Sequence, residues 1–156
     1  MPYSFFSSLS TSIESVMNQL DVNIGKLPCC ERILQLTLPI DRFMYVCSSI
    51  EVFKIYINQP ISVEVLDEDP YRFINSSNHF LGVNGYEPIY QQNGNSIYYD
   101  FSPTNDSVLV SFNIADKIGK IEFDILSGDW FVASFSKCGN YLVLAEPYDF
   151  NVYKIN

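Results

Sequence analysis

The feature that most constrains this chain is a side-chain period of two in its middle and second half. Apolar residues alternate with polar ones in segments 51–58, 61–65, 108–112 and 120–126. Successive side chains of a β-strand point to opposite faces, so this period predicts strands that bury one face. Residues 92–95 read Gln-Asn-Gly-Asn between two β-rich runs, and Asn-Gly predicts a hairpin because both residues tolerate positive φ. We therefore expect a mostly antiparallel sheet.

The N-terminal region shows a helical period instead. Thr11 and Glu14 fit a capping box, with Thr11 at the N-cap and Glu14 at the third helical position. The apolar residues with the spacing of one helix face are Leu9, Ile13, Val16, Met17 and Leu20. A second short helix can begin at Pro28, because proline suits the first helical position. The alternation over residues 34–38 equally allows a strand at this second place.

Residues 134–145 fit two structures. A helical stripe is formed by Phe135, Cys138, Leu142 and Ala145. Ser134 is a good N-cap for such a helix, whereas Gly139 and Asn140 equally allow the turn of a hairpin. Glycine inside a helix costs about 1 kcal/mol relative to alanine, which does not exclude the helix. The predicted fold class is α+β: N-terminal helices packed on a mostly antiparallel twisted sheet, in a single domain over residues 1–156.

The charge balance limits the partners that this protein can have. Its 18 Asp and Glu residues against 9 Lys and Arg give a net charge of −9, and the basic residues are scattered. Nucleic acid and anionic membranes both require clustered basic side chains, so neither is an expected partner. A basic protein partner is the natural complement, although negative charge also simply keeps a protein soluble. No signal peptide or transmembrane helix is recognisable, which predicts a cytoplasmic location.

The sequence contains no recognisable catalytic or cofactor motif. His79 is the only histidine, and no nucleophile motif or phosphate-binding glycine loop accompanies it. The cysteines have neither the spacing of a zinc site nor that of a disulfide framework: Cys29, Cys30, Cys47 and Cys138. We therefore predict reduced thiols, no metal, no cofactor and no enzymatic activity.

The predicted partner site combines acidic loops with tyrosines. Carboxylates form charge-assisted hydrogen bonds with Lys and Arg, and tyrosine supplies the buried area typical of interface hot spots. The predicted partner-binding residues are Asp67, Glu68, Asp69, Tyr86, Tyr90, Tyr98 and Asp106. The alternatives are that the acidic loop is merely solvated and that the tyrosines belong to the core.

Three stretches carry a family resemblance. Residues 13–36 contain an acidic amphipathic pattern, then Leu27-Pro28, then Glu-Arg-Ile-Leu. Residues 97–103 read as a strand that ends in Asp-Phe-Ser-Pro, and residues 119–135 read as a strand pair that leads into Ser134-Phe135. Together they resemble the SUKH superfamily, with its opening helix, "LP" step, "DLSP"-like turn and "SF" helix start. Members of that superfamily are mostly bacterial immunity proteins.

The resemblance implies a protein that binds a cognate toxin and neutralises it by occluding the active site. If the toxin is a nuclease, carboxylates of the inhibitor would take the positions of substrate phosphates. The alternative is a non-catalytic, β-rich ligand-binding or scaffold domain without a toxin partner. Residues 128–145 also resemble one blade edge of a WD-type propeller, but one blade cannot bury its faces alone, so we do not expect that architecture.

Overall fold

The computed structural model describes residues 13–20, 22, 32–57, 60–75, 80–82, 85–102, 104–125 and 128–156. These residues form antiparallel β-strands, a 3₁₀ turn at Ile13–Ser15 and an α-helix, α1, at Pro70–Ile74. The strands are β1 (Met17–Leu20), β2 (Ile33–Thr37), β3 (Phe43–Ser48), β4 (Val52–Tyr56), β5 (Ser62–Leu66), β6 (Phe80–Gly82), β7 (Gln91–Gln92), β8 (Asn95–Ser102), β9 (Ser107–Ile114), β10 (Lys117–Asp124), β11 (Val132–Phe135), β12 (Tyr141–Glu146) and β13 (Asp149–Ile155).

The strands assemble into three sheets. The central sheet has the order β1-β13-β12-β11, the front sheet β5-β4-β3-β2-β6 and the back sheet β10-β9-β8-β7. Most neighbours in a sheet are consecutive in the chain, as expected for hairpins. The exceptions are β1, which pairs with the late strand β13, and β6, which pairs with β2.

The central sheet is buried on both faces because it lies between the other two. Leu142 and Leu144 of β12 pack in a core shared with the back sheet, whereas Val143 and Ala145 pack in a core shared with the front sheet. Burying one such leucine or valine side chain is worth roughly 1.5–3 kcal/mol relative to exposing it. With both faces covered, β12 reads as a continuous apolar run and not as an alternation.

The predicted α+β fold with N-terminal helices is wrong. Residues 13–20 form the short 3₁₀ turn followed by β1, while Thr11 lies outside the described residues. The strand β1 pairs in register with β13, from Met17 opposite Ile155 to Leu20 opposite Val152. An isolated helix of this length is marginal in water. Pairing with β13 therefore decides the structure.

The structure also corrects the second predicted helix. Pro28 lies outside the described residues, and Ile33–Thr37 is strand β2, in agreement with the alternation there. The α-helix among the described residues is α1, which begins directly after the acidic loop. Asp69 is its N-cap and accepts a hydrogen bond from the Tyr71 N–H at 2.9 Å, and Pro70 takes the first position. His79 lies outside the described residues.

Residues 134–145 form a hairpin and not a helix. Strands β11 and β12 pair from Val132 opposite Ala145 to Phe135 opposite Leu142. Gly139 has φ +80° in the turn between them. Glycine adopts this left-handed conformation easily because it has no Cβ atom. Burial on both faces removes the alternation that identifies a strand, and Cys138 of the helical stripe is an exposed residue of the turn. The helix implied by the third SUKH-like stretch is therefore not present.

The predicted strands in the front and back sheets are confirmed. Segments 51–58, 61–65, 108–112 and 120–126 overlap β4, β5, β9 and β10, while residues 58 and 126 lie outside the described residues. Asn93 and Gly94 join β7 to β8 with φ of 54° and 82°, as the Asn-Gly hairpin signal predicts. Among the described residues there is no helix with the length and apolar character that crossing a membrane requires.

Candidate partner-binding surface

The predicted site residues lie on three segments of the chain. The acidic triplet 67–69 follows β5 at the edge of the front sheet, and residues 86 and 90 lie in the segment that leads into β7. Tyr98 and Asp106 belong to the back sheet, on β8 and in the turn after it. All seven side chains are exposed, so none of the three tyrosines is a core residue.

Two of the predicted acidic residues have local structural roles. Asp69 caps α1 with its side chain, as described above. Asp106 has φ 48° in the turn between β8 and β9, and its carbonyl oxygen accepts a hydrogen bond from the Ile125 N–H at 2.9 Å. Asparagine and aspartate tolerate this left-handed conformation better than most residues.

The structure does bring three aromatic side chains together on the back sheet. We call Tyr90, Tyr99 and Phe101 the aromatic row. The ring centroid of Tyr99 lies 6.5 Å from that of Tyr90 and 5.8 Å from that of Phe101. Phe101 is 57 % exposed and Tyr90 is 39 % exposed, whereas Tyr99 is half-buried between them. The row therefore presents two accessible rings joined by a third that reaches inward.

The aromatic row is supported from below by the core. The Tyr99 ring meets Phe131 edge-on with centroids 4.9 Å apart, and Phe131 lies 5.6 Å from Phe123. Both phenylalanines belong to the core between the back and central sheets. Edge-to-face pairs of this kind contribute about 0.5–1.5 kcal/mol beyond their burial. The accessible rings are thus attached to a close-packed interior.

The backbone that carries Tyr90 is held by two sheets. Ile89 donates its N–H to Ser134 Oγ at 2.8 Å, and its carbonyl accepts from the Phe135 N–H at 2.9 Å. The Tyr90 carbonyl accepts from the Ile97 N–H at 3.0 Å. The backbone around Tyr90 is already fixed before a partner binds. Association therefore costs little conformational entropy at this place.

A carboxylate lies near one end of the aromatic row. Burial raises the pKa of the Tyr90 phenol, and Tyr99 and the charge of Glu87 raise it further. The phenol therefore stays protonated and can donate a hydrogen bond at neutral pH. Asp106 precedes β9 by one residue, and Val108 of that strand pairs with Phe101. The row is an apolar surface with negative charge beside it.

Tyr98 belongs to a different surface. Neighbouring residues of a strand point to opposite faces, so Tyr98 points away from the face that carries Tyr99 and Phe101. It is 63 % exposed and lies opposite Ser111, which pairs on its other side with Lys120. The sequence prediction therefore included Tyr98 but missed Tyr99 and Phe101. The period of two along β8 separates these residues, although it does not say which set faces the core.

No family model matches the chain, and neither a curated protein nor a solved structure matches it. Within the described residues, no group of three or more His, Cys, Asp or Glu side chains is arranged to hold a metal ion.

Proposed function

We propose that this protein is a non-catalytic binding module that recognises a basic protein segment through the aromatic row. The observation that supports the proposal is the row itself: two accessible rings on a close-packed base, with the Glu87 carboxylate acting on one of them, in a chain of net charge −9.

Arginine suits this surface better than other side chains. Its guanidinium stacks on aromatic faces, with a gain of about 0.5–1 kcal/mol at exposed sites and about 2 kcal/mol when desolvated. The same group forms charge-assisted hydrogen bonds with carboxylates such as Glu87, whose charge acts on Tyr90. Phosphate groups would be repelled by these carboxylates, which disfavours nucleic acid as the partner.

The proposal includes a cytoplasmic location. Cys47 and Cys138 are free thiols, as expected in a reducing compartment. The other two cysteines lie outside the described residues. A toxin with a basic active-site cleft is one partner that fits this chemistry, and that narrower role stays a prediction. The hairpin at residues 134–145 removes one of the features on which the immunity-protein resemblance depends.

The experiment is a titration of ¹⁵N-labelled protein with an arginine-rich peptide, with a glutamate-rich peptide of equal length as the negative control. We expect chemical-shift changes centred on the amides of Tyr90, Tyr99 and Phe101. The variant Phe101→Ser should weaken binding roughly fivefold, which corresponds to the loss of one exposed cation–π contact.

Tyr98→Ser is the matched control, because it removes a ring of similar exposure from the same strand but from the opposite face. It should bind the peptide like the wild type. The proposal is wrong if Tyr98→Ser weakens binding as much as Phe101→Ser, or if the shifts avoid the aromatic row.

A further inference from the structure

The outer edge of β5 is an accessible strand edge. The strand pairs with β4 at all five of its positions, from Val52 opposite Leu66 to Tyr56 opposite Ser62, with no shift in register. No other strand in the described part of the chain pairs with its second edge. Residues 62–65 are exposed, and only Leu66 is partly covered. The backbone groups on this edge are thus placed to receive a further strand.

The strand has little of the usual protection of an edge beyond the charge of Glu64. Natural sheets protect their edges with lysine, proline or a bulge, because an unpaired edge attracts other strands. The sequence of β5 contains none of these, and its two valines are residues of high strand propensity. Val63 is 37 % exposed and Val65 is 52 % exposed, and both lie on the face opposite Glu64. This edge is therefore apolar on one face.

The charge around β5 is negative. Residues 60–75 contain four acidic residues and one basic residue, Arg72. Asp69 caps α1, but Glu64, Asp67 and Glu68 are exposed along the strand and at its exit. Lys54 lies opposite Glu64 on β4 and partly offsets that charge.

The ammonium of Lys54 is also engaged by aromatic rings. It lies 4.4 Å from the ring centroid of Phe43 and 5.0 Å from that of Tyr56, a range in which cation–π attraction operates. The Tyr56 hydroxyl donates to the Glu64 carboxylate at 3.3 Å. These contacts keep Lys54 on the sheet face, so the exit of β5 retains its negative charge.

We propose that the outer edge of β5 receives an extended segment of another protein as an added strand, in which apolar and basic residues alternate. Backbone hydrogen bonds to β5 supply affinity, as in other cases of strand addition. The apolar side chains pack on Val63 and Val65, and the basic ones pair with Glu64, Asp67 and Glu68. This surface is separate from the aromatic row, because β5 belongs to the front sheet and the row to the back sheet.

A second copy of this chain fits the edge less well. Antiparallel pairing of two β5 strands centred on Glu64 places the two Glu64 carboxylates opposite each other. Like charges directly opposite one another destabilise a strand pair. A basic segment from another protein reverses the sign of that interaction.

The test uses a synthetic peptide of alternating lysine and valine. We expect it to bind the full chain and to slow amide hydrogen exchange at residues 62–66. A second peptide has the same sequence but is methylated at alternate backbone nitrogens. It keeps the charge of the first peptide but loses half of its backbone N–H hydrogen-bond donors. It should bind at least tenfold more weakly, because strand addition needs those hydrogen bonds.

Two protein variants add the same lysine charge at different places and so test whether the peptide binds at the β5 edge. Val65→Lys should abolish protection of residues 62–66. Ile118→Lys makes the same change on β10, at a residue that is 62 % exposed, and should leave the protection intact. The inference is wrong if the methylated peptide binds equally well, or if protection appears at residues 90–101 instead. It is also wrong if the protein dimerises through β5 without peptide. Failure here would leave binding of the arginine-rich peptide at the aromatic row unaffected.

Discussion

The substitution Gly139→Ala distinguishes the hairpin from the helix by the sign of its effect on stability. Gly139 has φ +80° in the turn between β11 and β12. A left-handed conformation costs an L-residue roughly 1–2 kcal/mol, whereas the lower entropy of the unfolded chain returns about 0.4–1 kcal/mol. The net expectation is a loss of about 1 kcal/mol from these two terms. In a helix the same change would stabilise the protein by about 1 kcal/mol.

A neighbouring turn adds to this cost. A Cβ atom on Gly139 would lie 2.8 Å from the Asn93 side-chain nitrogen and 3.2 Å from Gln92 Cγ. The Gln92 side chain also donates a hydrogen bond to the Lys137 carbonyl, which ties the β7–β8 turn to the β11–β12 turn. Displacing these side chains should make Gly139→Ala more costly than its φ value alone requires.

Two other glycines serve as controls in urea unfolding. Gly94 has φ +82° but open space around it, so Gly94→Ala reports the conformational cost alone. Gly128 has open space and no positive φ, so Gly128→Ala should keep only the entropic gain and stabilise the protein by about 0.4–1 kcal/mol. Each kcal/mol corresponds to roughly 2–4 °C in Tm for a protein of this size. A Gly139→Ala variant more stable than the wild type would refute the hairpin.

Three further predictions concern the core and the titrating groups. Leu144→Ala should cost about 2–5 kcal/mol in urea unfolding, because Leu144 is fully buried, and half-buried Leu109→Ala should cost less. Burial raises the pKa of Asp149 above its ordinary value of 3.8, with smaller upward contributions from Glu146 and Asp124 and an opposing hydrogen bond from the Phe150 N–H. The folded state therefore favours the protonated form, and stability present below pH 3.8 is lost as pH rises through the folded pKa. Asp149→Asn should thus raise Tm at pH 7 and change it little below pH 3.8. Alkylation of the native protein, read by peptide mass spectrometry, should label exposed Cys138 and spare Cys47, whose pKa burial raises to about 12.

Each of these has an outcome that counts against it. Equal losses from Leu144→Ala and Leu109→Ala would mean that the back sheet does not cover β12. A stability gain from Asp149→Asn that persists at low pH would show that charge is not its cause. Rapid alkylation of Cys47 under native conditions would contradict its burial.

The strands of the outer sheets were predictable because one face of each meets solvent. In β9, for example, buried Val108, Val110 and Phe112 alternate with more exposed residues. In the central sheet this signal disappears, since Leu142 and Val143 are both buried but on opposite faces. A short apolar run of this kind fits a helix and a buried strand equally. The wrong helix at residues 134–145 follows directly from that ambiguity.

The role of β1 could not be deduced from local sequence. Its pairing partner β13 lies at the other end of the described residues, and a pattern over residues 13–20 carries no information about that contact. The same limit applies to the candidate surface. Exposure of Tyr90 agreed with the prediction, but the grouping of Tyr90 with Tyr99 and Phe101 depends on which face of β8 meets the core.

The most direct test of the proposed function is photo-cross-linking in cells of the source organism, with a photoreactive phenylalanine analogue at position 101 or 98. From position 101, we predict cross-links to a protein of net positive charge, and an arginine-rich peptide added to the cell extract should suppress them. The same analogue at position 98 should give no such product, because that side chain is on the opposite face. Equal cross-linking from both positions, or an acidic protein captured from position 101, would contradict recognition of a basic partner by the aromatic row.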